Sequence, residues 1–214
     1  MLTIEKTVLP SPEQWEIIIE GMRNPMNSWD KMDSELGYHV TDDRLDAVVN
    51  IGEADCKLMT SLAKGGAVHA KYRRMIPVFL TINAPLYWWK EFDTYKVGTV
   101  TNSCSTMHKI HAKEFTLDDF SCEWCPGFTN GVVETLEAWR KMYLATKDKK
   151  YWYAMIQMLP TSYNQKRTVM LNYEVLVNIY HSRKNHKLDE WHVFCDWIRQ
   201  LPYSELITGS DSDV

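Results

Sequence analysis

IPVFLTINAPLYWWKEFDTYK, residues 76–96, decides the fold class. Its first seven residues are apolar and β-branched, the pattern of a buried strand. Pro85 then opens a helix. Trp88, Phe92 and Tyr95 share one side of it, Leu86 and Trp89 the adjacent side, and Gly98 closes it. A strand running straight into a helix places a sheet beside a helical layer.

On the N-terminal side, residues 12–22 read as a helix. Ser11 caps it, Pro12 sits in the first turn, and Trp15, Ile18, Ile19 and Met22 form the apolar stripe. Residues 24–43 read as irregular. A second helix is expected over residues 43–63, with Leu45, Val48, Ile51, Leu58 and Leu62 near helical spacing and Gly65-Gly66 as its stop. On the C-terminal side, residues 99–128 show no period and read as a long loop. A helix follows from Thr129, with Val132, Leu136, Trp139 and Tyr143 on one face. A shorter helix covers residues 151–158, and residues 167–171 form a second strand. Two more helices carry Leu176, Ile179 and Tyr180, then Leu188, Trp191, Cys195 and Ile198. The expected class is α/β (or α+β), a small mixed sheet flanked by helices in one domain over residues 1–208. Residues 209–214 form an acidic, frayed tail.

The 214 residues are 45% apolar and 24% charged, with net charge −4. No basic run stands out, which argues against a nucleic-acid partner. No apolar stretch approaches the roughly 20 residues of a membrane span. The first ten residues lack the apolar core of a signal peptide. Five cysteines, an odd number, read as reduced thiols in a cytoplasm. Nine Trp and eleven Tyr predict an aromatic-rich core or interface. Cys122-Glu-Trp-Cys125 is a CxxC that needs two more ligands to hold zinc, His108 and His111 being nearest. Glu134, Glu137, Arg140 and Lys141, at three- and four-residue spacing, read as a solvated helix face.

Four segments, in order, resemble the flavin-dependent thymidylate synthases. They are RNPMNSWD (residues 23–30), LMTSLAKGGAVH (58–69), INAPLYWWKEFDTYK (82–96) and the stretch from Leu159-Pro160 through Asn172, Leu176 and Arg183 to Glu190. The resemblance implies an α/β fold, a homotetramer with sites at subunit interfaces, and a role in thymidylate synthesis. FAD would carry hydride while a one-carbon unit passes to a pyrimidine nucleotide. It also implies roles: His69 as the active-site histidine, with Ser28, Tyr95, Lys96, Asn172 and Arg183 holding the cofactor. Each has a plainer alternative. His69 is then a loop histidine, Ser28 a turn serine, Lys96 a complement to a helix C-terminus, and Arg183 a partner of Asp189 or Glu190. Trp88 and Trp89 either stack on a flavin or fill the core.

The chain departs from the family pattern where phosphate is held. Thr94-Tyr95-Lys96 replaces the Arg-His-Arg signature, and Cys104-Ser105-Thr106 replaces a Ser-Gly-Arg loop. Ile156 and Glu174 each replace an arginine. A charge-assisted hydrogen bond to an anion contributes roughly 1.5–3 kcal/mol. Losing three such bonds removes about 5–9 kcal/mol, on the order of 10³ to 10⁶ in affinity. Lys96, Lys166, Lys109, Arg73, Arg74 and His108 are the cations available to compensate. Two functions follow: a divergent FAD-dependent synthase, or a non-catalytic protein binding a nucleotide or other small planar ligand on the same scaffold, a pseudoenzyme.

Overall fold

The computed structural model describes residues 1–41, 44–124 and 126–209. The chain forms an α/β fold whose four-stranded sheet has the order β1-β4-β6-β5. Its strands are β1 (Thr3–Val8), β4 (Pro77–Pro85), β5 (Val100–Ser103) and β6 (Asn164–Asn172), and a separate hairpin pairs β2 (Glu35–Thr41) with β3 (Arg44–Asn50). Helices are α1 (Pro12–Arg23), α2 (Glu53–Lys64), α3 (Leu86–Phe92), α4 (Pro126–Thr146), α5 (Lys149–Met158), α6 (Tyr173–Arg183), α7 (Asp189–Arg199) and α8 (Glu205–Thr208). Two compact units are present, with boundaries falling inside β1, β4, β5 and β6: Met1–Lys6, Thr81–Thr94 and Thr101–Val169 in one, the remainder in the other.

The expected strand at residues 76–82 is β4, and it continues to Pro85 before α3 begins. Val78, Leu80, Ile82 and Ala84 alternate inward while Phe79 faces out, the two-residue period of a sheet covered on one side. Ile76 lies opposite Tyr173, Thr81 opposite Thr168 and Leu86 opposite Tyr163, so β4 and β6 run antiparallel. α1 begins as read: Ser11 and Gln14 form a capping box and Pro12 opens the first turn.

Three expectations are corrected. The helix placed over residues 43–63 is a strand followed by α2, which starts only at Glu53. The stretch before it, read as irregular, is partly β2. In the hairpin, Leu36, Tyr38 and Val40 lie opposite Val49, Ala47 and Leu45. The alternation on one face, with Val48-Val49 β-branched, outweighs the chance helical spacing of Leu45, Val48 and Ile51. β1 went unread, and the long loop contains β5 and a 3₁₀ turn, Leu117–Asp119. The tail beyond Gly209 and Cys125 of the CxxC lie outside the described residues.

In the first unit, α4 packs on α5. Their core joins Leu136 and Met155 to Ile110, Phe115 and Phe120 of the preceding loop. Trp88 and Trp89 are fully buried beside Phe92, so they fill the core. Trp89 donates to the Gln165 carbonyl at 2.9 Å. Its ring carries the Arg167 guanidinium at 4.2 Å, and Arg167 in turn pairs with Asp93. Glu137 is not on a solvated face. It is 8% exposed, receives the Phe115 backbone N–H at 3.0 Å, and binds Arg140. A carboxylate one helical turn before an arginine here anchors the loop against α4.

In the second unit, α6 packs against α7, α8 and the 3₁₀ turn Lys71–Met75, while α2 also meets α8. Leu176, Ile179, Tyr180, Trp191, Cys195 and Ile198 are buried, as the stripes predict, and Phe194, outside them, is buried too. Burying each large apolar side chain contributes roughly 1.5–3 kcal/mol.

Candidate functional site

α6 has two faces. Leu176, Ile179 and Tyr180 go into the core. Glu174, Asn178 and His181, at four- and three-residue spacing, form a polar stripe. That stripe lines a cavity of about 600 Å³ within the second unit. Thr60, Ala63 and Lys64 of α2 form another wall, and Leu206 and Ile207 of α8 another. Gly66, at φ 84°, turns the chain out of α2 along its rim.

Arg73 enters the same cavity from the 3₁₀ turn. Tyr72 fixes that turn, donating its hydroxyl to the Met59 carbonyl of α2 at 2.9 Å. Burial pushes the Tyr72 phenol up to about 12, so it stays a neutral donor at physiological pH. Arg73 Nη1 stands 3.8 Å from Glu174 Oε2, with the two side chains only 10% and 15% exposed. Among the described residues, Arg73 Nε and Glu174 Oε2 have no hydrogen-bond partner. The pair is therefore an ion pair without a closed hydrogen bond, at the position where the family resemblance places an arginine. A second negative charge about 4 Å from the carboxylate costs about 4 kcal/mol at an effective dielectric of 20. Of the compensating cations named from the sequence, Arg73 lines the cavity. Lys166 pairs with Glu5 at 2.6 Å, and His108 stacks on Trp152.

The residues implicated by resemblance fall into three places. Tyr95 and Arg183 meet: the Tyr95 hydroxyl accepts from Arg183 Nε at 2.9 Å. The guanidinium also lies 4.8 Å from the Trp191 ring centre. Lys96 is exposed at the following position. Asn172 caps α6, accepting the Val175 N–H at 3.1 Å. Its amide lies against Gly98, where an added Cβ would meet it at 3.0 Å, so the Tyr95–Gly98 turn approaches the α6 N-terminus.

Ser28 belongs to a different network. Arg23 donates to its carbonyl at 3.2 Å and its hydroxyl at 3.3 Å. Arg23 Nε donates to Asp55 at 2.6 Å, with both side chains buried. Asp55 also accepts from the Asp33 and Ser34 backbones and the Ser34 hydroxyl. Asp33 in turn accepts the Ala54 and Asp55 N–H groups at the start of α2. The Ala54 N–H is the chief reason the Asp33 carboxyl is held below the usual aspartate value. Residues 23–34 are thus tied to α2 through Asp55, with Ser28 inside the tie. His69 is exposed on the turn after Gly66, its ring against Gly65, beside the cavity rim rather than in its lining.

Sequence reasoning named Arg73 and Glu174 separately and did not join them. It missed Lys64, Asn178 and His181. The signal for two of these was available in the polar stripe Glu174, Asn178, His181 opposite an apolar stripe on one helix. The Cys122 thiol points to the Phe120 carbonyl at 3.8 Å. The His111 ring packs on Tyr143; burial first, then Lys109, Lys147 and Arg140, lower its pKa. Among the described residues no group of three or more His, Cys, Asp or Glu is placed to hold a metal ion, and no helix is long and apolar enough to cross a membrane.

Neither a protein-family model nor a curated protein matches the sequence. Solved structures do. Thymidylate Synthase X (ThyX) from Helicobacter pylori with FAD and dUMP is similar at TM-score 0.69 and 14% identity, covering 99% of this chain and 98% of that one. Flavin-dependent thymidylate synthase ThyX from Helicobacter pylori complexed with FAD and dUMP gives TM-score 0.68 at 14% identity, with 98% of each chain covered. Identity this low shows the fold alone: the chain is built on the scaffold of the flavin-dependent thymidylate synthases.

Proposed function

We propose that the protein binds a planar, nucleotide-class ligand in the cavity between α2, α6 and α8, without performing thymidylate synthesis. The Arg73–Glu174 pair carries this reading. The cavity, about 600 Å³, lies within the usual range for small-molecule sites, and its apolar walls suit a flat ring. For FAD the residues present fit in part. Ala63, Val177, Leu206 and Ile207 suit the ring system. The buried arginine is already neutralised by a carboxylate, which does not suit a diphosphate.

The second reading is FAD-dependent transfer of a one-carbon unit or hydride to a pyrimidine nucleotide, with Ser28, His69, Tyr95, Lys96, Asn172 and Arg183 around the cofactor. The shared scaffold supports it, since the Helicobacter pylori protein was crystallised with FAD and dUMP. Purified protein is scanned for flavin absorbance and titrated with FAD, riboflavin, deoxyuridine and deoxyuridylate by thermal shift. Stabilisation by at least one of the four, with no turnover of deoxyuridylate, is the expected outcome. Binding of none defeats the ligand-binding reading. Turnover with FAD and a folate establishes the synthase reading instead.

A further inference from the structure

The turn between α4 and α5 breaks two local rules. Lys147, the first residue after α4, stands at φ 57° and closes that helix by donating its N–H to the Tyr143 carbonyl at 2.8 Å. Glycine is the usual residue in this left-handed position, because a Cβ there is crowded. Lys149 and Lys150 then occupy the first turn of α5, which holds no acidic residue. A helix N-terminus carries partial positive charge and disfavours cations. Asp148, the cap, accepts the Lys150 N–H at 3.0 Å and pairs with its ammonium, so it answers one of the two lysines. Glycine at 147 and glutamate at 149 would make a more stable turn. Positions that break local rules in this way mark functional sites.

The cations are also gathered. Lys147, Lys149 and Lys150 lie over the rings of Tyr143, Tyr153 and Tyr151, at 5.7, 5.1 and 4.8 Å from the ring centres. Lys109, from the loop before α4, joins them: its charge and that of Lys147 both bear on His111. These lysines are exposed, as are Leu144 and Tyr153. Glu137, the acid of α4 that faces the same loop, is spent on Arg140. The net charge of −4 over the whole chain conceals this local excess.

We infer that the tip of the α4–α5 hairpin is a docking surface for an anionic lipid bilayer, on which the protein rests peripherally. The tip of a helical hairpin is convex and meets a flat surface. A single-stranded nucleic acid instead lies in a groove and stacks its bases on aromatic faces, and here the three tyrosine faces already carry lysines. Tyrosines, with apolar bodies and wet hydroxyls, suit the headgroup level. Clustered lysines are drawn to anionic headgroups.

Co-sedimentation of the full chain with vesicles tests this. Phosphatidylcholine vesicles are compared with vesicles of roughly one-third phosphatidylglycerol, each at low salt and at about 0.5 M NaCl. Binding is expected to the anionic vesicles alone, and is expected to be lost at high salt. Lys147→Gly removes one positive charge and Lys149→Glu reverses another. At about fivefold per charge, the double variant should weaken binding on the order of a hundredfold, while its urea midpoint rises. Lys57→Glu, at an exposed position of α2, should stay within about threefold of wild type, since distant charges are screened. Equal sedimentation with neutral and anionic vesicles overturns the inference, as does sedimentation with neither. So does a double variant that binds undiminished or has a lowered urea midpoint, or an equal loss in Lys57→Glu. A single-stranded oligonucleotide bound more tightly than the anionic vesicles also overturns it, in favour of a nucleic-acid face.

Discussion

Glu137 shows how one side chain changes role with its surroundings. Burial raises its pKa, but Arg140 and the Phe115 N–H outweigh that and hold the carboxyl below the ordinary glutamate value. Glu137→Ala leaves Arg140 without its partner and the Phe115 N–H open. It should cost about 2–4 kcal/mol, read as a lower urea midpoint. Because the folded-state pKa is depressed, the wild-type contribution is present above the unfolded value near 4.5. It is lost as pH falls through the folded value. Acid unfolding of Glu137→Ala should therefore show a shallower pH dependence below that point. The residue looked solvated in the sequence because its charge spacing with Arg140 is that of an exposed helix. The loop that covers it comes from residues 111–115, which no local pattern reveals.

At the scale of elements, α6 supplies the polar wall of the cavity, and its start depends on Asn172. That side chain satisfies one of the open N–H groups of the first turn. Asn172→Ala should lower stability by about 1 kcal/mol, measured by chemical denaturation. Asn172→Asp, which keeps the acceptor, should restore most of it. Elements with a full apolar stripe were legible: α1 from Trp15, Ile18, Ile19 and Met22, and α7 from Trp191, Cys195 and Ile198. β4 was legible from its β-branched run. β1, TIEKTV, was not, because only one of its residues is even half-buried. The β2–β3 hairpin was missed because Leu45, Val48 and Ile51 happen to match a helical period. The cavity was legible only in pieces. Arg73 and Glu174 come from distant parts of the chain, and only folding brings them within reach.

For the whole molecule, the α/β scaffold was readable from four short segments in order, although identity to the similar solved structures is 14%. Buried positions tolerate exchange among apolar residues of similar volume, so one fold accommodates sequences that share few residues. The homotetramer implied by the same resemblance is tested by light scattering. For a 25.1 kDa chain, a mass of about four chains supports that assembly, and a single-chain mass removes it. A site shared between subunits would then be removed with it.

Glycines offer a reading of mutational tolerance. At Gly98 the backbone has φ 78°, and an added Cβ would press on the Asn172 amide and on Val175. At Gly131, within α4, an added Cβ meets nothing within 4 Å among the described residues. Saturation of both codons, followed by selection for folded protein, should return almost only glycine at position 98. Position 131 should accept alanine with a gain of about 0.5–1 kcal/mol. A single residue of left-handed backbone would then be far less replaceable than a glycine in the helix.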